Sequence, residues 1–356
     1  MTYDFIVIGG GVVGMSTARE LAKQHFKVAL FDKGQLGMEA SWAAGGILSS
    51  MRPWAEDPGS AALSDIGKQQ YQSFVEALKN SSGIDAEYYK DGLFMLGSDD
   101  VSQTKKWAVA NKVPFESVSL DKGMKLLLPS DCIFLPEIAQ VRPSRLLKAL
   151  KKDLQIRKVD VFEHIAVKRI NIVNSHFKSI STESQETAAG NVIVATGAWS
   201  QLFTEQLGIN TSIKPINGQM LCVKSDKQPF KEIVLDGGHY LIPRNDGQVL
   251  IGSSMEDTGF EKVTTNETKG ELLSWARQFW PGVIDAMPVT HWAGLRPSNI
   301  TGKPIIGSVQ HIDGVFFNTG HFRKGILQAS VSAKLLVQHI MKNKTIVPIE
   351  PYAPQQ

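Results

Sequence analysis

Three glycines and one acid near the start of the chain have the types and spacing to hold a dinucleotide. Gly9, Gly11 and Gly14 stand in G-x-G-x-x-G order, and Asp32 closes the stretch YDFIVIGGGVVGMSTARELAKQHFKVALFD. Gly9 permits a tight turn, Gly11 lets the backbone approach a pyrophosphate, and Gly14 lets a helix pack closely on a strand. A helix starting behind them offers unpaired N–H groups and a partial positive charge to phosphate. Asp32 can accept a hydrogen bond from a ribose 2′-hydroxyl and would repel a 2′-phosphate. A second set of groups lies far along the chain. Arg296 follows the apolar run Trp292-Ala293-Gly294-Leu295 and is expected to project from a sheet into the interior. Its planar guanidinium matches a carboxylate bidentately, whether that of a ligand or of a structural ion pair. Tyr240 brings a hydroxyl that suits either a ligand or a core tyrosine with a polar tip.

The elements that must position these groups can be read from hydrophobic period. Phe5-Ile6-Val7-Ile8 is short, apolar and β-branched, which predicts a buried parallel strand. Met15, Ala18, Leu21 and Ala22 recur at helical spacing, and Val28 to Phe31 form a second strand ending at Asp32. Small residues crowd positions 39–47, where a backbone can lie against something flat or anionic, with Ser41 as a donor. Helices are expected over 63–79, from Asp99 to about 111, from Pro143, over 268–279, and from Ile326 to about Met341. Tyr88 to Met95 reads as a hairpin turning at Asp91-Gly92, and 161–182 as antiparallel strands. Asn191 to Ala195, entering Thr196-Gly197, should return the chain to the first sheet. Strands dominate 213–298, with a hairpin at Asn245-Asp246-Gly247. A two-residue turn there sets Tyr240 opposite Ser253, with Met255 diagonal to it on the same face; a three-residue turn reverses that parity. The tail after Pro348 is expected to be loosely held.

Composition narrows the function classes. A chain of 356 residues, 42% hydrophobic and 21% charged, is long enough for two domains with substantial cores. A net charge of +3 gives no reason to expect a nucleic-acid or anionic-membrane partner. Cys132 and Cys222 have neither C-x-x-C nor metal-ligand spacing and read as small core residues in a reducing compartment. The eight histidines form no metal-binding pattern, so no metal is expected. No apolar run approaches the roughly 18 residues of a membrane span. No signal segment is read at the start, and a cytoplasmic location is expected.

A dinucleotide unit at one end and T-G-H-F-R-K-G before the last helix give the chain a clear likeness: it resembles the D-amino-acid oxidase family of flavoproteins. Within that family it is similar to the glycine oxidase branch associated with thiamine biosynthesis. The likeness is carried by E-A-S-W-A-A-G-G (39–46), A-T-G-A-W-S (195–200), Y-L-I-P-R-N-D-G (240–247), G-S-S-M (252–255), W-A-G-L-R-P (292–297), G-K-P-I-I-G (302–307) and T-G-H-F-R-K-G-I-L (319–327). It spans nearly the whole chain. Departures are Ile47-Leu48, where many relatives have Met-Leu, and Ser298-Asn299 in place of Gly-Thr; both bear on substrate shape.

The resemblance implies an α/β protein: a Rossmann-like FAD-binding domain (1–84, 141–210 and 299–345) and a second, α+β substrate domain (85–140 and 211–298) on a mixed or antiparallel sheet. FAD is implied rather than NAD. It would be noncovalent, because the cysteine to which related sarcosine oxidases tether their flavin is absent from 292–297. Val12 and Val13, Asp32-Lys33, Ala40-Ser41, Gly45, Gly46 and Ile47 would line its AMP, pyrophosphate and ribityl portions, together with Ala195 and Gly197. Val167 would hold adenine through its backbone. His321, Phe322, Arg323, Lys324, Gly325, Ile326 and Leu327 would surround the flavin, with a helix N-terminus near Gly325 setting positive potential where reduced flavin is negative. Arg296 and Tyr240 would bind a substrate carboxylate, Arg323 would bind it too or stabilise reduced flavin, and Met255 would wall off larger side chains. The implied reaction takes a hydride from Cα of glycine, sarcosine or D-alanine to flavin N5, yielding glyoxylate or a 2-oxo acid and ammonia, with oxygen becoming hydrogen peroxide. A dehydrogenase passing electrons to a quinone stays open. Relatives imply a homo-oligomer.

Overall fold

The computed structural model describes residues 2–118, 125–209 and 211–355. Tyr3–Ile8 is the strand its β-branched run predicts, with Val28–Phe31 and Glu186–Val194 parallel on either side. Successive residues point to opposite faces. Phe5 and Val7 enter a cluster with Met15, Leu21, Leu147 and Leu335 from the helices Val12–Lys23, Pro143–Ile156 and Gly325–Ile340. Ile6 and Ile8 enter a second cluster with Ile170, Ile180 and Phe203. Each such side chain contributes about 1.5–3 kcal/mol of burial, and cover on both faces is why the run is unbroken by polar residues. Across the sheet the order is Ile305–Ser308, Val315–Thr319, Glu186–Val194, Tyr3–Ile8, Val28–Phe31, Asp160–Phe162. The 161–182 stretch divides: Val161 joins the parallel sheet, while Arg169–Val173 and His176–Ser181 form the expected antiparallel pair.

A second sheet runs Met287–Asn299, Ile213–Lys224, Gln248–Gly252, His239–Pro243, Ile233–Asp236, Leu93–Leu96, Ile133–Leu135, Glu116–Ser117. One face packs Leu221, Leu241 and Ile251 under the helix Asn266–Phe279. The other presents Met220, Tyr240 and Ile242 together with Ile47 and Met51, toward the first sheet.

Two local expectations give way to longer-range forces, and the turn length left open at 245–247 is fixed. Tyr88 to Met95 is no hairpin: Tyr89 bridges Gln140, while Leu93–Leu96 pairs with Ile233–Asp236 and Ile133–Leu135. Gly92 is left-handed at φ 82°, but its N–H and C=O are taken by Ile138 and Ile233, and central pairing in a large sheet outcompetes a two-stranded ribbon. The turn at Asn245-Asp246-Gly247 has three residues, with Gly247 left-handed at φ 84° and Arg244 N donating to Gln248 O at 2.7 Å. Tyr240 therefore faces Gly252 rather than Ser253, and Met255 lies beyond the strand's end instead of diagonal to Tyr240. The tail after Pro348 is docked: Ile349 and Tyr352 are buried, and the Tyr352 hydroxyl donates to Gly59 O at 2.7 Å. Both cysteines are free and buried, as expected.

Candidate active site

Between the two sheets lies a cavity of about 840 Å³. At one end it is floored by the carboxyl ends of the parallel strands, through Gly9, Gly11, Val12, Val13, Asp32 and Lys33. Val12 N, in the first turn of its helix, donates to Ser41 Oγ at 2.9 Å. Asp32 braces the glycine turn: Oδ2 accepts from Gly10 N at 2.6 Å and Oδ1 from Gly34 N at 2.8 Å. Burial pushes its carboxyl above the ordinary range against the pull of those two amides. Lys33 Nζ sits 3.3 Å from the Trp199 ring centroid. Ala40, Gly45, Gly46, Ile47, Val167, Ala195 and Gly197 complete the walls. Gly14 is not a lining residue. A Cβ there would collide with Gly9 O, so Gly14 acts as the sequence suggests, by letting helix and strand touch.

At the other end the wall is Gly218, Met220, Tyr240, Ser253, Met255 and Arg296. Arg296 projects inward from Met287–Asn299 and is half-buried. Its Nη2 donates to Ser253 Oγ at 2.8 Å, and Nη1 donates to Ser254 O at 3.1 Å and Asn217 O at 3.4 Å. These oxygens are neutral, and no carboxylate of the described residues forms an ion pair with Arg296. The Tyr240 hydroxyl contacts Met220 Sδ at 3.6 Å. Arg323 approaches Met255 Sδ at 3.3 Å and Met51 Sδ at 3.9 Å, and its buried Nε has no partner. Burial, then the charge of Arg296, lowers its pKa from the usual guanidinium value.

The cavity closes over His321, Phe322, Lys324, Gly325 and Ile326, where Gly325–Ile340 begins. Leu327 is turned away into the core, its backbone carbonyl lying against Gly67. Lys324 Nζ pairs with Glu56 Oε1 at 2.7 Å. His321 is buried, with Nε2 lacking a partner, and burial followed by the Lys324 charge pushes its pKa down to about 3. The ring is therefore neutral in the fold, while the unfolded chain takes up a proton near 6.5. Stability from this difference is complete above that pH and is lost on acidification toward pH 3, by up to about 1.4 kcal/mol per pH unit. The slope of the urea midpoint against pH below 6.5 should flatten in His321→Gln, and an unchanged slope would contradict this placement.

Over residues 4–339 the chain matches the DAO family, described as FAD dependent oxidoreductase. The chain belongs to this family. It is similar to glycine oxidase of Pseudomonas aeruginosa, at 34% identity covering 99% of each chain. It is also similar to glycine oxidase of Bacillus subtilis, at 28% identity over 96% of this chain and 94% of that one. The crystal structure of glycine oxidase from Geobacillus kaustophilus superposes with a TM-score of 0.93 at 25% identity, covering 100% of this chain and 99% of that one.

The site of this DAO-family oxidoreductase suits FAD on its own geometry. Two helix N-termini, at Val12 and Gly325, face one elongated cavity and supply positive potential at two points along it. Gly45 lets the small-residue run lie close on the second sheet, since a Cβ there would come within 2.6 Å of Ile242 Cδ1. The unpartnered Nε2 of His321 and Nε of Arg323 belong to residues that line it.

Several site residues escape sequence reasoning. Gly218 lies directly under the Arg296 guanidinium, and Ser253 and Ser254 hold that group in place. The buried Arg244 clamps Gly45 O at 2.7 Å, Val141 O at 3.0 Å and Gln140 Oε1 at 2.5 Å, fixing the small-residue run against the second sheet. Ser49 to Arg52, Ala55 and Glu56 also line the cavity. Ser298 and Asn299 do not line it: Asn299 instead accepts from Ser212 Oγ at 3.0 Å and donates to Lys303 O at 2.8 Å. Of the two departures from the family pattern, Ile47 alone reaches the cavity.

Proposed function

We propose that the enzyme oxidises glycine, and with it sarcosine and D-alanine, to glyoxylate or the matching 2-oxo acid, releasing ammonia and hydrogen peroxide. The observation that carries this reading is Arg296, a cavity-facing guanidinium whose partners are all neutral oxygens. A half-buried cation so placed lacks a counter-ion, and a substrate carboxylate supplies one bidentately. The curated relatives named glycine oxidase support the choice of substrate.

Bound FAD supplies the hydride acceptor and the centre that reacts with oxygen. The Ser41 hydroxyl and the first-turn amides beyond Val12, whose own N–H is taken by Ser41 Oγ, would hold its phosphates, Asp32 would take a ribose hydroxyl, and the 165–168 wall would receive adenine at Val167. Binding is noncovalent, since neither Cys132 nor Cys222 lines the cavity. Arg296 fixes the substrate carboxylate, and the Tyr240 hydroxyl turns from Met220 to donate to it. Held in this way, Cα is presented to the cofactor in a single pose, an orientation worth several orders of magnitude in rate. Met255 bounds the space for a side chain, and Arg323 adds positive charge. The neutral His321 excludes water without serving as an acid. We assign 1–84, 141–210 and 299–345 to cofactor binding and 85–140 with 211–298 to substrate. The strands of the two sheets fall within these ranges to within one residue.

The test is anaerobic mixing with glycine, sarcosine or D-alanine, followed at the visible flavin band, then admission of air. Bleaching by glycine and peroxide on reoxidation are expected. Bleaching without peroxide would favour the dehydrogenase. No bleaching by any of the three would refute the reading.

A further inference from the structure

Segment 254–265 links the strand Gln248–Gly252 to the helix Asn266–Phe279, and two fully buried side chains of the strand Ile213–Lys224 pin both of its ends. Asn217 and Glu256 exchange backbone hydrogen bonds at 2.8 and 3.0 Å, and Asn217 Nδ2 donates to Val263 O at 3.0 Å. Gln219 Nε2 donates to Glu256 Oε1 at 2.9 Å, while Gln219 Oε1 accepts from Thr265 N at 2.9 Å. The stretch between these feet reaches across to the ranges assigned to cofactor binding. Phe260 packs on Trp199 with ring centroids 5.9 Å apart, and Lys262 Nζ pairs with Glu39 Oε2 at 2.9 Å. Trp199 and Glu39 line the cavity, as does Met255 where the segment leaves the second sheet, whereas Phe260 and Lys262 do not. The segment therefore spans the rim from one wall to the other. Lys33, the neighbour of Asp32, marks the end that is spanned. Its Nζ lies 3.3 Å from the Trp199 centroid; burial lowers its pKa, the charges of Glu39 and Asp32 oppose that, and the charge of Lys262 adds to it. Since the feet are pinned from within the second sheet, the tip contacts are not needed to hold the segment to its own domain. They add little to stability either, because the Lys262 and Glu39 side chains are 43% and 34% exposed. What they decide is whether the rim is closed.

We propose that 254–265 is a strap over the cofactor end of the cavity, fastened by Phe260 and Lys262, which must lift before FAD can enter or leave. This rests on noncovalent binding of FAD in the cavity and not on the choice of substrate. The fastening is protein against protein, and neither residue touches what the cavity holds. Lifting therefore costs the same with the cofactor as without it, and a contact with no preference between two states shifts no equilibrium between them. Entry and release are slowed by one common factor, and affinity stays where the cavity walls set it.

The test dilutes FAD-loaded enzyme in steps and follows the fluorescence of released flavin, whose rate gives release and whose final levels give the dissociation constant. Phe260→Ala/Lys262→Ala should release FAD at least about tenfold faster, through loss of an aromatic pair and an ion pair together, with the dissociation constant within about twofold of native. Added salt should speed release from the native enzyme more than from Lys262→Ala. A release rate within about twofold of native would overturn the inference. So would a dissociation constant that weakens in step with release, because the two residues would then support the binding site rather than gate it. Flavin that stays with acid-precipitated protein would overturn noncovalent binding, and the inference with it. Failure of glycine to bleach the flavin would count against the oxidase reading alone, because these measurements need no turnover.

Discussion

Arg296→Ala should abolish bleaching of the flavin by glycine while the purified protein stays yellow. The expected fall in kcat/KM is about 10³-fold or more, equivalent to roughly 4 kcal/mol of lost transition-state stabilisation. Two parallel charge-assisted hydrogen bonds disappear at once, and with them the single orientation in which Cα can react. FAD should be retained, because Arg296 lies at the opposite end of the cavity from the glycine turn and the Ser41 hydroxyl that face the phosphates. Some stability is lost as well. Ser253 Oγ, Ser254 O and Asn217 O each lose a donor, and refilling by water limits the cost to about 1–3 kcal/mol. Arg296→Lys separates charge from geometry. A lysine keeps the cation but not the planar fork, so it should recover part of the affinity and little of the rate. Stopped-flow reduction across a range of glycine concentrations reads both. Turnover of Arg296→Ala within tenfold of the native enzyme would remove the basis for the proposed function.

The sequence was legible where the site is local and opaque where it is not. The cofactor end is built from one continuous stretch, and the physical demands of a strand, a glycine turn and a helix start are written in adjacent residues. The tasks of Gly9, Gly11, Gly14 and Asp32 are therefore legible in the sequence, although the brace from Asp32 to Gly10 N is not. The substrate end is assembled from strands far apart in the chain. Arg296 and Tyr240 were found through a family likeness, since an arginine before a proline carries no local mark of its ligand. Gly218 gave no signal, because its meaning depends on a side chain that reaches it from the neighbouring strand. The 245–247 turn shows the same limit on a smaller scale. Asn-Asp-Gly announces a hairpin, but one residue of turn length decides which residue faces Tyr240, and composition does not fix that length.

Gly218→Ala should nearly reproduce the loss seen on removing Arg296, with fold and cofactor intact. Gly218 pairs with Gly294 in the antiparallel ladder between Ile213–Lys224 and Met287–Asn299, and Ile216 pairs with Arg296 one repeat along. A methyl group on Gly218 would overlap Cζ, Nη1 and Nη2 of Arg296. Alanine is an ordinary residue in a strand, so the backbone itself has no reason to object. What must yield is the far end of a flexible side chain, which swings off Ser253 and Ser254 at a cost well below that of unfolding. The guanidinium then presents the wrong edge to a carboxylate, and a misplacement of about 1 Å is enough to cost 10²-fold in rate. A fall in kcat/KM of about 10²- to 10³-fold is expected, with visible flavin content unchanged. Gly294→Ala is the matched control, because its Cβ would meet Ala43 Cβ at 2.5 Å and strain the packing beside Arg296 rather than the guanidinium itself. The decisive measurement is a double-mutant cycle. If Gly218 acts through Arg296 alone, adding Gly218→Ala to Arg296→Ala should change glycine binding by less than about twofold. A further large loss in the double variant would show that the glycine serves the substrate directly.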